Sequence, residues 1–245
     1  MLFPIGDDNR ERTITPYINY LLILTNIFVF IFFQDFGKNE KFTYKFATVP
    51  EEIITGKDIV TRDQTFQDPA VGETYIIPGL RSTPFSVYIT LLTSLFLHGS
   101  IAHILGNMIF LWIFGDNIEN RTGHFRYLIF YLVCGVLASL AHVYATEVFG
   151  GNLLIPTIGA SGAISGVLGA YILLYPRKRV SVILFYFITD MPAIVVIGIW
   201  FLFQLISGLG ILGSGARGGG IAYGAHIGGF ISGIILIIFF DKGRK

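Results

Sequence analysis

Long apolar stretches separated by shorter polar segments dominate the chain. Six such stretches run from Tyr17 to Phe33, Ala102 to Ile118, Phe125 to Val148, Ser161 to Tyr175, Pro192 to Ile206 and Ile221 to Phe240. A helix needs about 20 residues to cross a hydrocarbon core about 30 Å thick. The pattern therefore predicts an all-α polytopic membrane protein with six transmembrane helices in one bundle.

The composition favours the same class of protein. Of the 245 residues, 53% are hydrophobic and 13% are charged, whereas an average soluble domain carries about 25% charged residues. The chain therefore has too little polar surface for a soluble fold, and its expected surroundings are a lipid bilayer. The net charge of +1 gives no reason to expect a nucleic-acid partner, and the single cysteine, Cys134, has no partner for an internal disulfide.

Lysine and arginine residues predict the orientation, because short cytoplasmic segments of membrane proteins carry an excess of them. If the N-terminus is cytoplasmic, the cytoplasmic segments hold most of the basic residues on short segments, including Arg177, Lys178 and Arg179. Both termini are therefore predicted to be cytoplasmic. The expected organisation is a short tail over residues 1–16, six spans over residues 17–240 with a long first loop at 34–101, and a tail at 241–245.

The fourth apolar stretch is short for a span. Its fifteen residues, Ser161 to Tyr175, give a helix of about 22 Å against a core of about 30 Å. Because Pro176 and the basic cluster after it hold the cytoplasmic end, Ser161 is expected to lie below the outer surface. Non-helical backbone at that depth is tolerated only inside protein or beside water. The length thus predicts a water-holding cavity near Ser161.

Polar side chains from three spans converge at this depth. His103 and Asn107 lie four residues apart, on one face of the second span, and Ser161 and His226 lie near the outer ends of the fourth and sixth spans. Polar residues within spans are functional candidates. The topology therefore predicts a polar site in the outer third of the bilayer.

Small residues indicate which helices pack together. Two stripes with a spacing of four residues are Gly162, Gly166 and Ala170 in the fourth span, and Ala225, Gly229 and Gly233 in the sixth. Such stripes let helix backbones approach closely. His226 shares a face with the second stripe, so packing of the two stripes would place Ser161 against His226.

These residue types fit nucleophilic catalysis. A serine hydroxyl needs a base to accept its proton, and His226 is the candidate. Asn107, His103 and the backbone N–H of Ser161 would supply oxyanion donors. With no acidic residue at this depth, the pattern favours a Ser–His dyad over a triad. On the residues alone, Ser165 remains an alternative nucleophile one turn deeper, and the same polar groups could serve helix packing.

Four motifs contain these residues. They are His98-Gly-Ser-Ile-Ala-His103-Ile-Leu-Gly-Asn107, Gly115-Asp-Asn-Ile-Glu119-Asn-Arg121-Thr-Gly123, Gly159-Ala160-Ser161-Gly162, and Ala225-His226-Ile227-Gly228-Gly229 followed by Gly233. They resemble, in order, the HxxxxHxxxN, GxxxExxxG, GxSG and AHxxG motifs of the rhomboid family of intramembrane serine proteases. The resemblance covers roughly residues 86–240 and implies a six-transmembrane-helix rhomboid-like bundle.

The resemblance implies roles for individual residues. Ser161 would be the nucleophile, His226 the general base, and His103 and Asn107 the oxyanion and substrate-binding groups. The GxSG frame fits only Ser161, since Ala163 lies two residues before Ser165. Supporting roles fall to His98, Gly159, Gly162, Gly229, Gly233, Glu119 and Arg121. The position four residues after the nucleophile, often aromatic in the family, is Ser165, so the resemblance identifies no group that orients His226.

The resemblance implies an enzyme, a rhomboid-type endopeptidase that hydrolyses single-span membrane proteins in or near their transmembrane segments. No cofactor is expected, and the chain lacks the HExxH motif of zinc proteases, so no metal is expected either. The alternative is a catalytically silent rhomboid-like protein that binds membrane proteins or serves their quality control. We expect a multi-pass protein of a prokaryotic cell membrane.

Overall fold

The computed structural model describes residues 2–67, 74–214, 222–241 and 243, with a mostly helical fold. The strands are β1 (Leu2–Asp7), β2 (Gln64–Gln67), β3 (Thr74–Ile77), β4 (Arg179–Leu184) and β5 (Phe187–Pro192). The helices are α1 (Tyr17–Phe32), α2 (Glu40–Phe46), α3 (Pro50–Thr55), α4 (Thr90–Thr93), α5 (Ile101–Phe110), α6 (Asp116–Thr122), α7 (His124–Val148), α8 (Ser161–Leu174), α9 (Ala193–Ser214) and α10 (Tyr223–Phe240). Short 3₁₀ turns at Val87–Ile89 and Ser94–Phe96 flank α4, and a π turn at Leu111–Gly115 joins α5 to α6.

Three helical segments of the described chain are long and apolar enough to cross a membrane. They are Ile101–Thr122 with 22 residues, His124–Val148 with 25 and Tyr223–Phe240 with 18. Shorter apolar helices are α1, α8, the segment Val87–Phe96 and the part of α9 from Ala193 to Gly208. Each of the six predicted stretches thus overlaps a helical segment, with Ile221 outside the described residues. The number of helices that cross the membrane and the orientation of the termini stay predictions.

The sequence predicted an all-α protein, but the structure also contains a small three-stranded sheet. Antiparallel strands in the order β1-β4-β5 form it, with Leu2 opposite Leu184. Strand β1 therefore lies in what was expected to be a polar tail, and it adds to the hairpin between α8 and α9. Pro4 is compatible with this strand because β1 lies at the sheet edge, where a missing N–H is tolerated. Of the C-terminal tail, the described residues are Asp241 and Gly243.

A buried carboxylate holds β1 against the helices. The Asp7 Oδ2 atom accepts hydrogen bonds from the Tyr171 hydroxyl at 2.6 Å and from the Asn117 amide at 2.8 Å. Lys178 lies 3.7 Å from the same oxygen. Burial raises the pKa of Asp7 above its usual value, and these partners oppose that effect. The strand is thus attached through α6 and α8 as well as through its sheet partner.

Helix α8 lies at the centre of the fold, and every residue from Gly162 to Tyr171 is buried. It packs against α7 and α10 through small residues. A Cβ atom built on Gly229 would lie 2.1 Å from the carbonyl oxygen of Gly162, and one built on Gly233 would lie 1.9 Å from that of Gly166. The predicted contact between the two small-residue stripes is confirmed, and it fixes the start of α8 beside the start of α10.

Candidate active site

Ser161 is the first residue of α8 and remains partly exposed. The turn before it depends on Gly159, whose φ of +125° is strained for residues with a side chain. A Cβ atom built there would also lie 2.9 Å from His103 Nε2. The first N–H groups of a helix have no acceptor within that helix. The absence of a side chain at Gly159 therefore leaves room for the His103 ring near the Ser161 hydroxyl.

His226, in the first turn of α10, contacts Ser161 directly. Its Nε2 atom lies 2.8 Å from the Ser161 hydroxyl oxygen, and its Nδ1 atom lies 2.8 Å from Oε1 of Gln204 on α9. An amide oxygen only accepts hydrogen bonds, so Nδ1 carries the proton and Nε2 is the free acceptor. The Ser161 hydroxyl can then donate to Nε2, which is the arrangement that proton transfer requires.

Asn107 and His103 both lie on α5, which packs against α8. The backbone N–H of Gly99 donates to His103 Nδ1 at 3.4 Å, so the proton of this ring lies on Nε2, the atom that faces Gly159. The Asn107 side chain is buried, and its amide nitrogen has no hydrogen-bond partner among the described residues. An unpaired buried donor costs about 1–3 kcal/mol, so the Asn107 amide would be stabilised by an incoming acceptor.

Ser165, the alternative nucleophile, is fully buried. Its hydroxyl donates to the backbone carbonyl of Ser161 at 2.6 Å. Serine hydroxyls within helices often form this local bond to the residue four positions earlier. The hydroxyl of Ser165 is thus used inside α8, whereas that of Ser161 faces a histidine and is partly exposed.

His98 lies next to His103, at the end of the first loop. Its backbone N–H donates to Gln34 Oε1 at 2.9 Å, and its carbonyl accepts from Gln34 Nε2 at 3.0 Å. The buried ring meets the ring of His103 edge to face, with centroids 5.1 Å apart. His98 therefore connects the end of the first loop to its beginning, just after α1, and packs against His103.

Glu119 and Arg121 lie on α6, at the far end of the helical segment that begins with α5. The Glu119 carboxylate accepts from the backbone N–H groups of Ile18 at 3.0 Å and Asn19 at 2.7 Å, at the N-terminus of α1. Arg121 pairs with Asp241, just after α10, through a contact of 2.8 Å between Nη2 and Oδ2. Both residues connect helix ends to one another and lie away from the Ser161 hydroxyl.

Gln204 is the contact that the sequence analysis missed. The residue is buried and stands in an otherwise apolar run of α9. Polar residues within such runs are functional candidates, and that signal was sufficient to single it out. Among the described residues, no group of three or more His, Cys, Asp or Glu side chains is arranged to hold a metal ion.

Comparisons with known proteins identify the family. Residues 86–242 match the Rhomboid domain. Rhomboid protein 1, mitochondrial, of Saccharomyces cerevisiae is 29% identical over 154 residues, which cover 63% of this chain and 42% of that protein. Rhomboid protease GluP of Bacillus subtilis is 40% identical over 90 residues, 36% of this chain and 16% of that protein. The human presenilin-associated rhomboid-like protein, mitochondrial, is 37% identical over 93 residues, 38% of this chain and 24% of that protein.

The chain thus spans less than half the length of these relatives. Mitochondrial proteins are among them beside a bacterial one, so the comparisons do not support the expected prokaryotic cell membrane. The matched domain includes the GxSG serine of α8 and the histidine of α10, and its long apolar helices are those of a multi-pass membrane protein. The match covers more than half of the chain, so the chain belongs to the rhomboid family, whose members include a rhomboid protease.

Proposed function

We propose that the protein is an intramembrane serine endopeptidase that cleaves single-span membrane proteins in or near their transmembrane segments. The observation that carries the proposal is the 2.8 Å contact between His226 Nε2 and the Ser161 hydroxyl. A nucleophile and its base must lie within such a distance. The family supports the same reaction class, since a relative is a rhomboid protease.

In the proposed reaction, the Ser161 hydroxyl gives its proton to His226 Nε2 as its oxygen attacks the carbonyl carbon of the scissile peptide bond. The resulting oxyanion accepts hydrogen bonds from Asn107 Nδ2, His103 Nε2 and the backbone N–H of Ser161. His226 then protonates the leaving amine as the C–N bond breaks. Water, deprotonated by His226, hydrolyses the acyl ester and returns Ser161 to its starting state.

The proposed setting is a protease domain over residues 17–240. Helices α1, α7, α8, α9 and α10 and the segment Ile101–Thr122 would be its six spans, with both termini in the cytoplasm. Helix α8 has 14 residues, about 21 Å, which supports an active site below the outer surface. A substrate with a single span would present its backbone at that depth.

Labelling with an active-site-directed fluorophosphonate tests the proposal on purified full-length protein in detergent. The wild type should be labelled on Ser161, Ser161→Ala should not be labelled, and Ser165→Ala should still react. Labelling that persists in Ser161→Ala but disappears in Ser165→Ala would overturn the assignment of the nucleophile.

Cleavage of a reporter with one transmembrane segment tests the base. His226→Ala should lower kcat by at least about 10²-fold, since a positioned acid–base group contributes about 10²–10⁴-fold. Unchanged cleavage would contradict the dyad. A folded wild type that binds the reporter but neither cleaves it nor reacts with the fluorophosphonate would favour the alternative, a catalytically silent rhomboid-like binding protein.

A further inference from the structure

In a Ser–His dyad, the serine occupies only one of the two ring nitrogens of the histidine, and the hydrogen-bond partner of the other nitrogen decides which tautomer is present. The Nε2 atom of His226 faces Ser161, and the ring works as a base only if the proton stays on Nδ1. In serine proteases with a triad, a carboxylate accepts that proton's hydrogen bond, fixes the tautomer and stabilises the imidazolium. Here Nδ1 lies 2.8 Å from Oε1 of Gln204, a neutral amide on a different helix.

Helix α9 turns Gln204 inward. Its neighbours Leu202 and Phe203 are 55% and 62% exposed, while Gln204 is 7% exposed. The inward face continues one turn earlier with Trp200, whose ring centroid lies 6.2 Å from that of His226. Two side chains of one helix face thus contact or flank the ring, although the position four residues after the nucleophile is Ser165 rather than an aromatic residue.

Because Gln204 is buried, its hydrogen bond to His226 should be stable and not a chance surface contact. A buried amide without a partner loses its hydration without compensation, and in an apolar helix few acceptors or donors are within reach. The bond to His226 satisfies the Gln204 carbonyl oxygen and the Nδ1–H group together. In the imidazolium state both ring nitrogens are donors, and Oε1 can keep accepting from Nδ1 while the ring holds the serine proton.

We propose that Gln204 is the positioning residue of the active site, which fixes the tautomer and orientation of His226 and stabilises its protonated form. This inference rests on the proposed protease function and adds a third, uncharged member to the Ser161–His226 pair. Gln204 acts through His226 and does not contact the substrate.

Two substitutions of Gln204 separate this role from simple packing. Gln204→Met keeps the length of the side chain and removes the acceptor, so kcat on the single-span reporter should fall about tenfold to a hundredfold, with KM changed less than about threefold. The imidazolium would lose a hydrogen bond, so His226 should be a weaker base. The acidic limb of the pH–rate profile should therefore move to lower pH.

Gln204→Glu should move the acidic limb in the opposite direction, because a carboxylate stabilises the imidazolium more strongly than an amide does. It should also keep more activity than Gln204→Met. Phe203→Met, on the exposed neighbour, is the matched control, and its kcat and pH profile should equal those of the wild type. Thermal unfolding in detergent checks that every variant is folded.

The inference fails if folded Gln204→Met retains wild-type kcat, if its kcat falls without movement of the acidic limb, or if Gln204→Glu is no more active than Gln204→Met. Ser161→Ala, assayed in parallel, separates this result from the proposed function. If Ser161→Ala still cleaves the reporter, the protease assignment itself is wrong. If it is inactive while Gln204→Met behaves as the wild type, only the role of Gln204 is wrong.

Discussion

At the scale of single residues, the buried Asn107 amide is a donor without a partner among the described residues. Because this nitrogen has no such partner in the resting state, its hydrogen bond should contribute only when an oxyanion forms in the reaction. We expect Asn107→Ala to lower kcat about 10²-fold while the fluorophosphonate still labels Ser161. The measurement is cleavage of the single-span reporter under saturating conditions.

The matched control for that substitution is Asn26→Ala. Asn26 is also a buried asparagine, but its amide donates to the Leu22 carbonyl within α1 at 2.8 Å. Loss of this bond should lower thermal stability and leave kcat within about twofold, since a neutral hydrogen bond contributes about 0.5–1.5 kcal/mol to folding. Equal kcat values for the two variants would remove Asn107 from the oxyanion site.

Residue patterns in the sequence were enough to bring most of the site together. Ser161 and His226 are in hydrogen-bond contact, and His103 lies beside the glycine before the serine, because helix register and small-residue stripes determine these positions. Gln204 could not be paired with His226 in the same way. It is a single polar residue without a spacing pattern, and the rotation of α9 about its axis depends on tertiary packing.

At the scale of elements, the contact between α8 and α10 determines the distance between nucleophile and base. A Cβ atom at Gly233 would lie 1.9 Å from the backbone oxygen of Gly166, and neither backbone can move without displacing a helix. Overpacking of this kind costs about 1–3 kcal/mol or more. We expect Gly233→Ala to lower the Tm in detergent and to reduce reporter cleavage at least about tenfold, since a small displacement of catalytic groups is costly.

Gly198→Ala provides the comparison for this packing prediction. Gly198 is also a helix glycine, on α9. Apart from its own helix backbone and chain neighbours, no atom of the described residues would lie within 4 Å of a Cβ atom there. Alanine in a helix interior is favoured over glycine by about 0.5–1 kcal/mol, so the Tm should stay equal or rise. Equal loss of activity in both variants would show that α8–α10 contact is not the cause.

The sequence predicted elements unevenly, for a physical reason. Helix α8 begins at Ser161 and ends at Leu174, close to the expected stretch, because glycine and proline flank a continuous apolar run. Strand β1 was not expected from the sequence. Its Leu2 pairs with Leu184, which is distant in the sequence. A six-residue strand has little local signal, and its partner strand begins more than 170 residues later in the sequence, so only the assembled fold reveals the sheet.

At the scale of the whole molecule, two contacts fasten the helices at the end away from the active site. Glu119 binds the N-terminus of α1, and Arg121 pairs with Asp241 after α10. His226 lies in the first turn of α10 and Asp241 directly after its last residue, so the helix separates the two residues by about 22 Å. The two contacts should therefore stabilise the bundle without taking part in the chemistry.

The pH dependence of thermal stability tests whether the Arg121–Asp241 pair stabilises the bundle without affecting catalysis. Hydrogen bonds from Arg121 hold the pKa of Asp241 below its usual value, so the pair stabilises the fold above the unfolded pKa of about 4, and the contribution is lost as pH falls through the folded pKa. A pair near the surface contributes up to about 1 kcal/mol, or about 2–4 °C in Tm for a domain of this size. Asp241→Asn should lower the Tm by that amount at pH 7 and by less at pH 3, with kcat at pH 7 unchanged.

Asp35→Asn, at an exposed aspartate after α1, is the control and should show the Tm profile of the wild type. If wild-type and Asp241→Asn unfolding curves shift in parallel from pH 7 to pH 3, the ion pair does not hold the end of α10 in the bundle.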